Sequence, residues 1–334
     1  RRTADFDPFR PMKILITGGA GFIGSNLARL ALSDPAVDAV TVLDDLSTGI
    51  RSNLDGLDVD LVDGSILSDA ALDRAMVGRD AVVHLAALPS VPRSVDDPMA
   101  SHAANATGTL AVLQAARRHD VGHVVLASSS SVYGANPALP KRETDWTRPL
   151  SPYGVTKHAT EGYALAFQAT YGLPTLAFRL FNVYGPAQRH DHAYAAVVPK
   201  FVYAALRDEP LVYFGDGTQS RDFTYVGTVC AVLLDAVRRT VSQPGPVNLA
   251  FGTRTDLRSV TTELERILDR PVTSRCEPAR AGDVRHSEAD SGLLRSLFPA
   301  VTATPLEIGL RATVDWFRSA VLPPTQVTEG ALVR

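Results

Sequence analysis

Several features are scarce or missing in this 334-residue sequence, and their absence narrows the kinds of protein it can be. Only two cysteines occur, Cys230 and Cys276, which are too few for a disulfide framework, and no CxxC pair indicates a zinc site. No run of about 18 apolar residues predicts a membrane-spanning helix. We therefore expect a reducing, cytoplasmic setting and no membrane partner.

The sequence also lacks an excess of either charge. It has 33 Lys and Arg residues against 36 Asp and Glu residues, a formal net charge of −3. This balance does not favour a nucleic acid or an anionic membrane surface as partner. The histidines His84, His190, His192 and His286 do not have the spacing of metal ligands, so we expect no metal. Hydrophobic residues make up 45% of the chain, as is typical of soluble globular proteins.

What the sequence does contain is an alternation of short apolar runs and amphipathic stretches. The runs predict strands at 13–17, 39–44, 59–62, 80–85, 122–127 and 175–180, and the stretches predict helices at 22–32, 69–76, 103–119 and 152–171. Continuous apolar strands that alternate with helices are typical of a parallel sheet covered on both faces. The sequence therefore predicts an α/β fold with a doubly wound parallel sheet.

The alternation becomes irregular after about residue 181, which predicts a second domain. We assign residues 12–180 and about 225–250 to the sheet domain, and about 181–224 and 251–320 to a smaller, discontinuous α/β domain. The smaller domain is expected to cover the carboxyl ends of the strands, where ligands bind in open α/β sheets. Residues 1–11 are expected to form a flexible extension, and residues 321–334 a loose tail.

A glycine-rich turn lies between the first predicted strand and the first helix. Gly18, Gly21 and Gly24 have GxxGxxG spacing, which permits a tight turn, lets the backbone approach a pyrophosphate and brings the helix close to the strand. Asp44 ends the second strand, where an acid can accept hydrogen bonds from an adenosine ribose and repel a 2′-phosphate. The sequence therefore predicts binding of NAD rather than NADP.

A tyrosine and a lysine form a candidate catalytic pair at the start of a long helix. Tyr153 and Lys157 are four residues apart and therefore lie on one helix face. A nearby ammonium and a positively charged nicotinamide would favour the phenolate form of Tyr153 and make it a usable base. A serine at the end of the neighbouring strand, within Ser128–Ser131, could bind the same substrate hydroxyl.

With these motifs together, the sequence resembles the extended short-chain dehydrogenase/reductases, specifically the UDP-sugar 4-epimerases, over about residues 12–320. The resemblance rests on GGAGFIG at 18–24, LDDLSTG at 43–49, HLAA at 84–87, SSSSVYG at 128–134, YGVTK at 153–157, RLFNVYGP at 179–186, GDGTQSRDFTYV at 215–226 and RAGDV at 280–284. It implies a Rossmann-type sheet domain that binds NAD, a smaller domain that binds a UDP-sugar, and a homodimer.

The resemblance also implies roles for individual residues. In addition to Gly18, Gly21, Gly24, Asp44, Tyr153 and Lys157, it places Phe22, Ile23, Ser65, Ile66, Leu85, Ala86, Ala87 and Asn105 at the cofactor. It makes Ser129 the catalytic serine beside Tyr153 and Lys157. At the substrate it places Ser130, Ser131, Asn182, Arg189, Phe214, Arg221, Arg280 and Asp283, of which Arg221 and Arg280 would bind the diphosphate and Arg189 would lie near C6 of the sugar.

The implied activity is inversion of C4 of a UDP-hexose or UDP-hexuronate through a transient 4-keto sugar. We expect UDP-glucuronate to be favoured over UDP-glucose, because a guanidinium can bind a carboxylate through two parallel hydrogen bonds. The alternatives are a nucleotide-sugar 4,6-dehydratase, a uronate decarboxylase and a non-catalytic NAD-binding sensor. Similar dehydratases have an Asp-Glu pair where this chain has Ser130 and Ser131.

Overall fold

The structure, a computed structural model, describes residues 11–192, 195–279 and 285–322. Its strands are β1 (Met12–Thr17), β2 (Val37–Asp44), β3 (Val59–Asp63), β4 (Ala81–His84), β5 (His123–Ser129), β6 (Thr175–Leu180), β7 (Val183–Tyr184), β8 (Leu211–Phe214), β9 (Ser220–Asp222), β10 (Thr224–Tyr225), β11 (Val247–Leu249), β12 (Arg254–Asp256) and β13 (Ser274–Glu277). Its α-helices are α1 (Phe22–Leu32), α2 (Asp69–Met76), α3 (Val91–Asp96), α4 (Pro98–His102), α5 (Gly108–Arg118), α6 (Pro152–Tyr171), α7 (Val197–Leu206), α8 (Val226–Arg238), α9 (Leu257–Leu268), α10 (Gly292–Leu297) and α11 (Leu306–Trp316).

Seven parallel strands form the central sheet, in the order β11-β6-β5-β4-β1-β2-β3. The chain runs outward from β1 through β2 to β3, then crosses back to β4 and continues in the opposite direction. The strand order therefore reverses between β1 and β4, and a crevice opens outside the carboxyl ends of these strands. The predicted Rossmann-type α/β fold is confirmed.

Alternate residues of the strands serve two cores, one on each face of the sheet. On β1, Ile14 and Ile16 belong to the core beneath α1 and α8, whereas Leu15 belongs to the core beneath α2, α5 and α6. Successive side chains of a strand point to opposite faces, so a strand covered by helices on both sides must be apolar throughout. This is the reason that the apolar runs in the sequence identify these strands correctly.

A third core lies apart from the sheet and joins α7, β8, α9 and α11. Its fully buried members include Val202, Leu211, Leu264 and Leu310. Between these segments the chain returns to the large sheet, since α8 packs on α1 and β11 pairs with β6. The residue limits proposed above for the two domains stay a prediction. Most of the expected extension at 1–11 and of the tail at 321–334 lies outside the described residues.

Candidate active site

A cavity of about 1030 Å³ runs along the carboxyl edge of the sheet, across the point where the strand order reverses. It joins the glycine-rich turn at one end to the start of α6 at the other. The residues predicted from the sequence that line it are Gly18, Gly21, Phe22, Ile23, Gly24, Asp44, Ser65, Ile66, Leu85, Ala86, Ala87, Ser129, Tyr153, Lys157, Asn182 and Arg189. The fold thus brings residues from across the first 190 positions into one cavity.

The glycine-rich turn has a geometry that larger residues would not adopt. Gly18 has φ +71°, and a Cβ there would lie 2.7 Å from the backbone nitrogen of Ala86. A Cβ on Gly24 would clash with the carbonyl oxygen of Gly18. Helix α1 begins directly after Gly21, and no side chain of the described residues caps it. The N-terminal amides of α1 therefore face a cavity that fits the pyrophosphate of a dinucleotide.

Asp44 connects the end of β2 to this turn. Its buried carboxylate accepts hydrogen bonds from the amide of Ala20 at 2.9 Å and from the amide of Leu46 at 2.8 Å. Burial raises the pKa of Asp44, and the two amides oppose that shift. Asp45 also lines the cavity beside it. Two carboxyl groups at this end fit the hydroxyls of an adenosine ribose and disfavour a 2′-phosphate.

Asn105 does not line the cavity but fixes the loop that does. Its side chain accepts a hydrogen bond from the amide of Leu88 at 2.7 Å and donates to the carbonyl of the same residue at 3.1 Å. It also donates to Thr156 on α6 at 3.0 Å. Asn105 lies in a π-helical turn, Ala103–Thr107, between α4 and α5. The single helix predicted at 103–119 is therefore wrong in detail, because the helix begins earlier, at Pro98, and widens where Asn105 turns inward.

Tyr153 and Lys157 occupy the first two turns of α6, and the residues around the start of this helix fix where it begins. Ser151 caps the helix by accepting a hydrogen bond from the amide of Gly154, and Pro152 occupies the first turn. The amide of Tyr153 donates to the buried hydroxyl of Ser94 on α3 at 3.0 Å. These contacts fix the direction in which the tyrosine enters the cavity.

The ammonium group of Lys157 lies between the sheet and the tyrosine ring. It donates to the carbonyl of Ala127 at 2.8 Å and lies 5.9 Å from the centre of the Tyr153 ring. Burial lowers the pKa of Lys157 to about 8. Burial raises the pKa of Tyr153, and a hydrogen bond with Ser129 opposes that shift. The three groups therefore lie together in the cavity, with the lysine nitrogen beside the phenol ring.

A buried ion pair supports this set from behind. Arg179 on β6 donates to both carboxylate oxygens of Glu161 on α6, each at 2.9 Å. Ser128, which precedes Ser129 in the chain, donates to the same carboxylate at 2.5 Å. The sequence analysis missed Arg179 and Glu161 and named Ser128 only as one of four serines, because these contacts join residues 18 and 33 positions apart in the chain. The cluster fixes α6 against the ends of β5 and β6.

A group of charged and polar side chains that line the cavity lies close together around His192. Arg189 is paired with Asp191 through two hydrogen bonds of 2.9 and 3.1 Å. Arg93 and His192 also line the cavity, and the sequence analysis missed both. The Nδ1 atom of His192 is buried and has no hydrogen-bond partner among the described residues. Burial, and next the charge of Arg189, lower the pKa of His192.

A second, smaller cavity of about 240 Å³ continues from the first and shares Asn182 with it. Phe214 and Arg221 both line it, and their expected roles, beside a uracil and at a diphosphate, stay predictions. Arg221 donates to the carbonyls of Ser220 at 3.0 Å and Arg285 at 3.3 Å. Of the other residues predicted to bind substrate, Ser130 and Ser131 adjoin Ser129 but line neither of the two cavities that the described residues form. Arg280 and Asp283 lie outside the described residues.

A metal site and a membrane-spanning helix are both missing from the described residues. These residues contain no group of three or more His, Cys, Asp or Glu side chains that could hold a metal ion. None of their helices is both long and apolar enough to cross a membrane. Cys230 is a buried free cysteine and Cys276 an exposed one.

Comparison with known proteins places this site in context. A model of the NAD dependent epimerase/dehydratase family matches residues 14–250. The chain is 35% identical to a UDP-glucose 4-epimerase from Mycolicibacterium smegmatis, with 92% of this chain and 99% of that protein covered.

Two solved structures extend the comparison. A UDP-N-acetylglucosamine 4-epimerase from Methanobrevibacter ruminantium, in complex with UDP-N-acetylmuramic acid, is 34% identical with a TM-score of 0.86, covering 93% of this chain and 99% of that one. A UDP-glucuronic acid 4-epimerase from Bacillus cereus, in complex with NAD and UDP-4-deoxy-4-fluoro-glucuronic acid, is 30% identical with a TM-score of 0.82, covering 92% and 99%. These relatives are named for different sugars, so the likeness by itself does not select one.

Proposed function

The chain belongs to the NAD-dependent epimerase/dehydratase family, and on that premise we propose that it is an NAD-dependent epimerase that inverts C4 of a UDP-sugar. The observation that carries the proposal is a single cavity with Asp44 at one end and Ser129, Tyr153 and Lys157 at the other. A dinucleotide bound at the glycine-rich turn along this cavity would direct its nicotinamide toward the tyrosine. A sugar held between Tyr153 and Asn182 would then lie against the nicotinamide ring.

The chemistry divides between cofactor and protein. When bound, NAD⁺ would supply a reversible acceptor for the hydride of C4, which allows the hydride to return to either face of the sugar ketone. Tyr153, as phenolate, takes the proton of the 4-hydroxyl, so that the O–H and C4–H bonds break and a C4=O bond forms. The same phenol returns the proton when the hydride returns, and the reaction is redox-neutral. The proton transfer is worth about 10²- to 10⁴-fold in rate.

Lys157 makes that proton transfer feasible near neutral pH. A tyrosine in water has a pKa near 10 and is a weak base at pH 7 because little of it is ionised. The buried ammonium of Lys157 stabilises the phenolate, and phenolate formation in turn favours the charged lysine. Because Lys157 is fixed to the carbonyl of Ala127, its charge stays near the ring without a change of rotamer.

The anchoring groups lie away from C4. Asn182 and Arg221 face the second cavity, where a UDP group would bind. Arginine suits a diphosphate because its planar guanidinium presents several donors to phosphate oxygens. Binding energy at the nucleotide keeps the 4-keto sugar in the site while leaving the ring free to present its other face.

The first experiment replaces the base. Tyr153→Phe should lower kcat for C4 inversion by at least about 100-fold, because the ring remains but the proton acceptor is lost. UDP binding, measured by calorimetry, should be retained. Tyr163→Phe is the matched control, since Tyr163 is a partly buried tyrosine on the same helix and packs against the core.

Three outcomes would contradict the proposal. Near-normal turnover of Tyr153→Phe would remove Tyr153 as the base. Failure of the NAD-loaded wild-type protein to invert any UDP-sugar would favour the non-catalytic sensor. Loss of water from the sugar, rather than inversion, would favour a dehydratase, although Ser130 and Ser131 stand where that activity would need acid–base groups.

For the sugar, we propose UDP-glucuronate ahead of UDP-glucose. Arg189 and Arg93 line the same cavity as Tyr153. The Arg189 guanidinium already binds the carboxylate of Asp191, so a C6 carboxylate of the substrate would have to replace Asp191. Exposed ion pairs of this kind contribute only about 0.2–1 kcal/mol, so the exchange costs little.

We also propose that the protein is a cytoplasmic homodimer. Its two free cysteines suit a reducing compartment. Exposed apolar side chains occur on α3, α4 and α6, which pack against one another: Val95 on α3, Met99 on α4 and Val155 on α6 are 63%, 76% and 55% exposed. A second copy of the chain would bury them.

A further inference from the structure

The hydroxyl of Ser129 receives two hydrogen bonds from one neighbour. The backbone amide of Ser131 donates to Ser129 Oγ at 3.2 Å, and the hydroxyl of Ser131 donates to the same atom at 2.9 Å. A serine hydroxyl has two acceptor positions and one proton to donate. With both acceptor positions filled, the remaining capacity of Ser129 is that of a donor.

We propose that Ser131 is a positioning residue that fixes Ser129 as a hydrogen-bond donor toward the Tyr153 oxygen, so that Tyr153 alone accepts the substrate proton. A Ser129 hydroxyl free to rotate could instead accept a hydrogen bond from the phenol and favour the neutral form of Tyr153. As a donor it favours the phenolate. Ser131 thereby determines whether Ser129 donates a hydrogen bond to the Tyr153 oxygen or accepts one from it.

The local structure holds Ser131 in this position. Ser129 is extended, with φ −150° and ψ 148°, and begins a short 3₁₀ turn, Ser130–Val132. The turn is followed by Tyr133, which is buried and donates to Asn248 at 2.6 Å. The guanidinium of Arg179 lies 4.6 Å from the centre of the Tyr133 ring. The turn is therefore fixed by buried side chains and cannot easily swing away from Ser129.

The inference rests on the proposed function for its meaning but is tested without turnover. The phenolate absorbance of Tyr153 is titrated in the NAD-bound protein, as the difference between each protein and the same protein carrying Tyr153→Phe. Ser131→Ala removes the hydroxyl donor and frees one acceptor position on Ser129. It should raise the pKa of Tyr153 by about 0.5 to 1, as expected for the loss of one hydrogen bond in a network.

Ser131→Thr keeps a hydroxyl and should restore the wild-type titration. In steady-state kinetics with a UDP-sugar that the enzyme epimerises, Ser131→Ala should lower kcat by about three- to tenfold at pH 7. It should leave KM unchanged and move the acidic limb of the pH profile to higher pH, because the base Tyr153 then stays protonated up to a higher pH. A rise in KM with unchanged kcat would instead mean that Ser131 binds the substrate, and would overturn the proposal.

The decisive comparison repeats the titration in a Ser129→Ala background. If Ser131 acts through Ser129, Ser131→Ala should then cause no further change in the pKa of Tyr153. An equal change with and without Ser129 would overturn the proposal, as would no change in either protein. Circular dichroism and NAD affinity show whether each variant is folded. An absence of epimerase activity would contradict the proposed function but would leave the result of this titration intact.

Discussion

At the scale of single residues, the pairing of Arg189 with Asp191 decides how the sugar preference should be tested. Arg189→Ala should lower kcat/KM for UDP-glucuronate by about tenfold or more and affect UDP-glucose less, because a charge-assisted hydrogen bond is worth about 1.5–3 kcal/mol. Asp191→Asn keeps Arg189 but weakens the competing pair, so it should lower KM for UDP-glucuronate. Both are measured by steady-state kinetics on the two sugars.

A matched control is available on the same surface. Arg207 and Glu209 form an ion pair with the same two-residue spacing and similar exposure, but they do not line either described cavity. Arg207→Ala should leave both sugars unaffected. Equal losses on both sugars with Arg189→Ala, or none on either, would remove Arg189 as the residue that selects the sugar.

Residues with a local signature could be predicted from the sequence, and residues without one could not. Gly18 and Asp44 stand at fixed places in a strand–turn–helix unit, and Tyr153 and Lys157 are four residues apart on a helix, so short-range spacing identifies them. His192 has no such signature, because only the folded loop shows that its ring lines the cavity. The contact of Ser131 with Ser129 lies in the quoted SSSSVYG motif, yet its direction depends on the turn that follows β5.

At the scale of secondary-structure elements, a buried polar network joins β1, β4, α5 and α6. His84 contacts Thr17 at 2.7 Å and Thr109 at 3.1 Å, and Thr109 contacts Thr160 at 3.2 Å. Burial, together with the charge of Lys157, lowers the pKa of His84 to about 3. The folded protein therefore keeps this histidine neutral under the cofactor cavity.

This network predicts an acid sensitivity. Between pH 6.5 and 3 the unfolded chain binds a proton at His84 that the folded chain does not, so stability falls as the pH falls through that window. Between pH 7 and 5 the loss amounts to about 2 kcal/mol. Between pH 7 and 5 the free energy of unfolding should fall by about 2 kcal/mol less in His84→Gln than in the wild-type protein, as measured by urea unfolding at both pH values.

The comparison uses the pH dependence rather than the absolute stability, because glutamine also alters the hydrogen bonds of the network. His102→Gln is the control, since His102 is exposed on α4. If the free energy of unfolding of His84→Gln fell between pH 7 and 5 as much as that of the wild type, His84 would not be the group responsible.

The boundaries of the elements show how far the sequence alone can predict the fold. The bounds of α1, α2, α6 and β6 were predicted correctly, whereas the π turn at Asn105 depends on a contact with a residue 17 positions away.

At the scale of the whole molecule, the alternation of strands and helices predicts a parallel sheet, but the cavity depends on the way that distant segments of the chain meet. The third core, which includes Val202 and Leu264, was predicted only as a smaller irregular part, because its elements are short and separated by turns. The apolar side chains left exposed by the fold also could not be seen in advance. Helical periodicity shows which face is apolar but not whether the same chain covers it.

The exposed apolar side chains on α3, α4 and α6 lead to a prediction about assembly. The protein should sediment as a particle of twice 35.7 kDa, because a second copy would cover Val95, Met99 and Val155. A stable interface of this kind buries about 800 Å² on each partner and has an apolar centre, so a buried charge there is costly. The double variant Met99→Glu/Val155→Glu should therefore sediment as a monomer. Ile308 is 57% exposed and lies on α11, a helix of the third core. The variant Ile308→Glu should therefore stay dimeric. A monomeric wild-type protein, or two variants that both remain dimers, would contradict an interface at these helices.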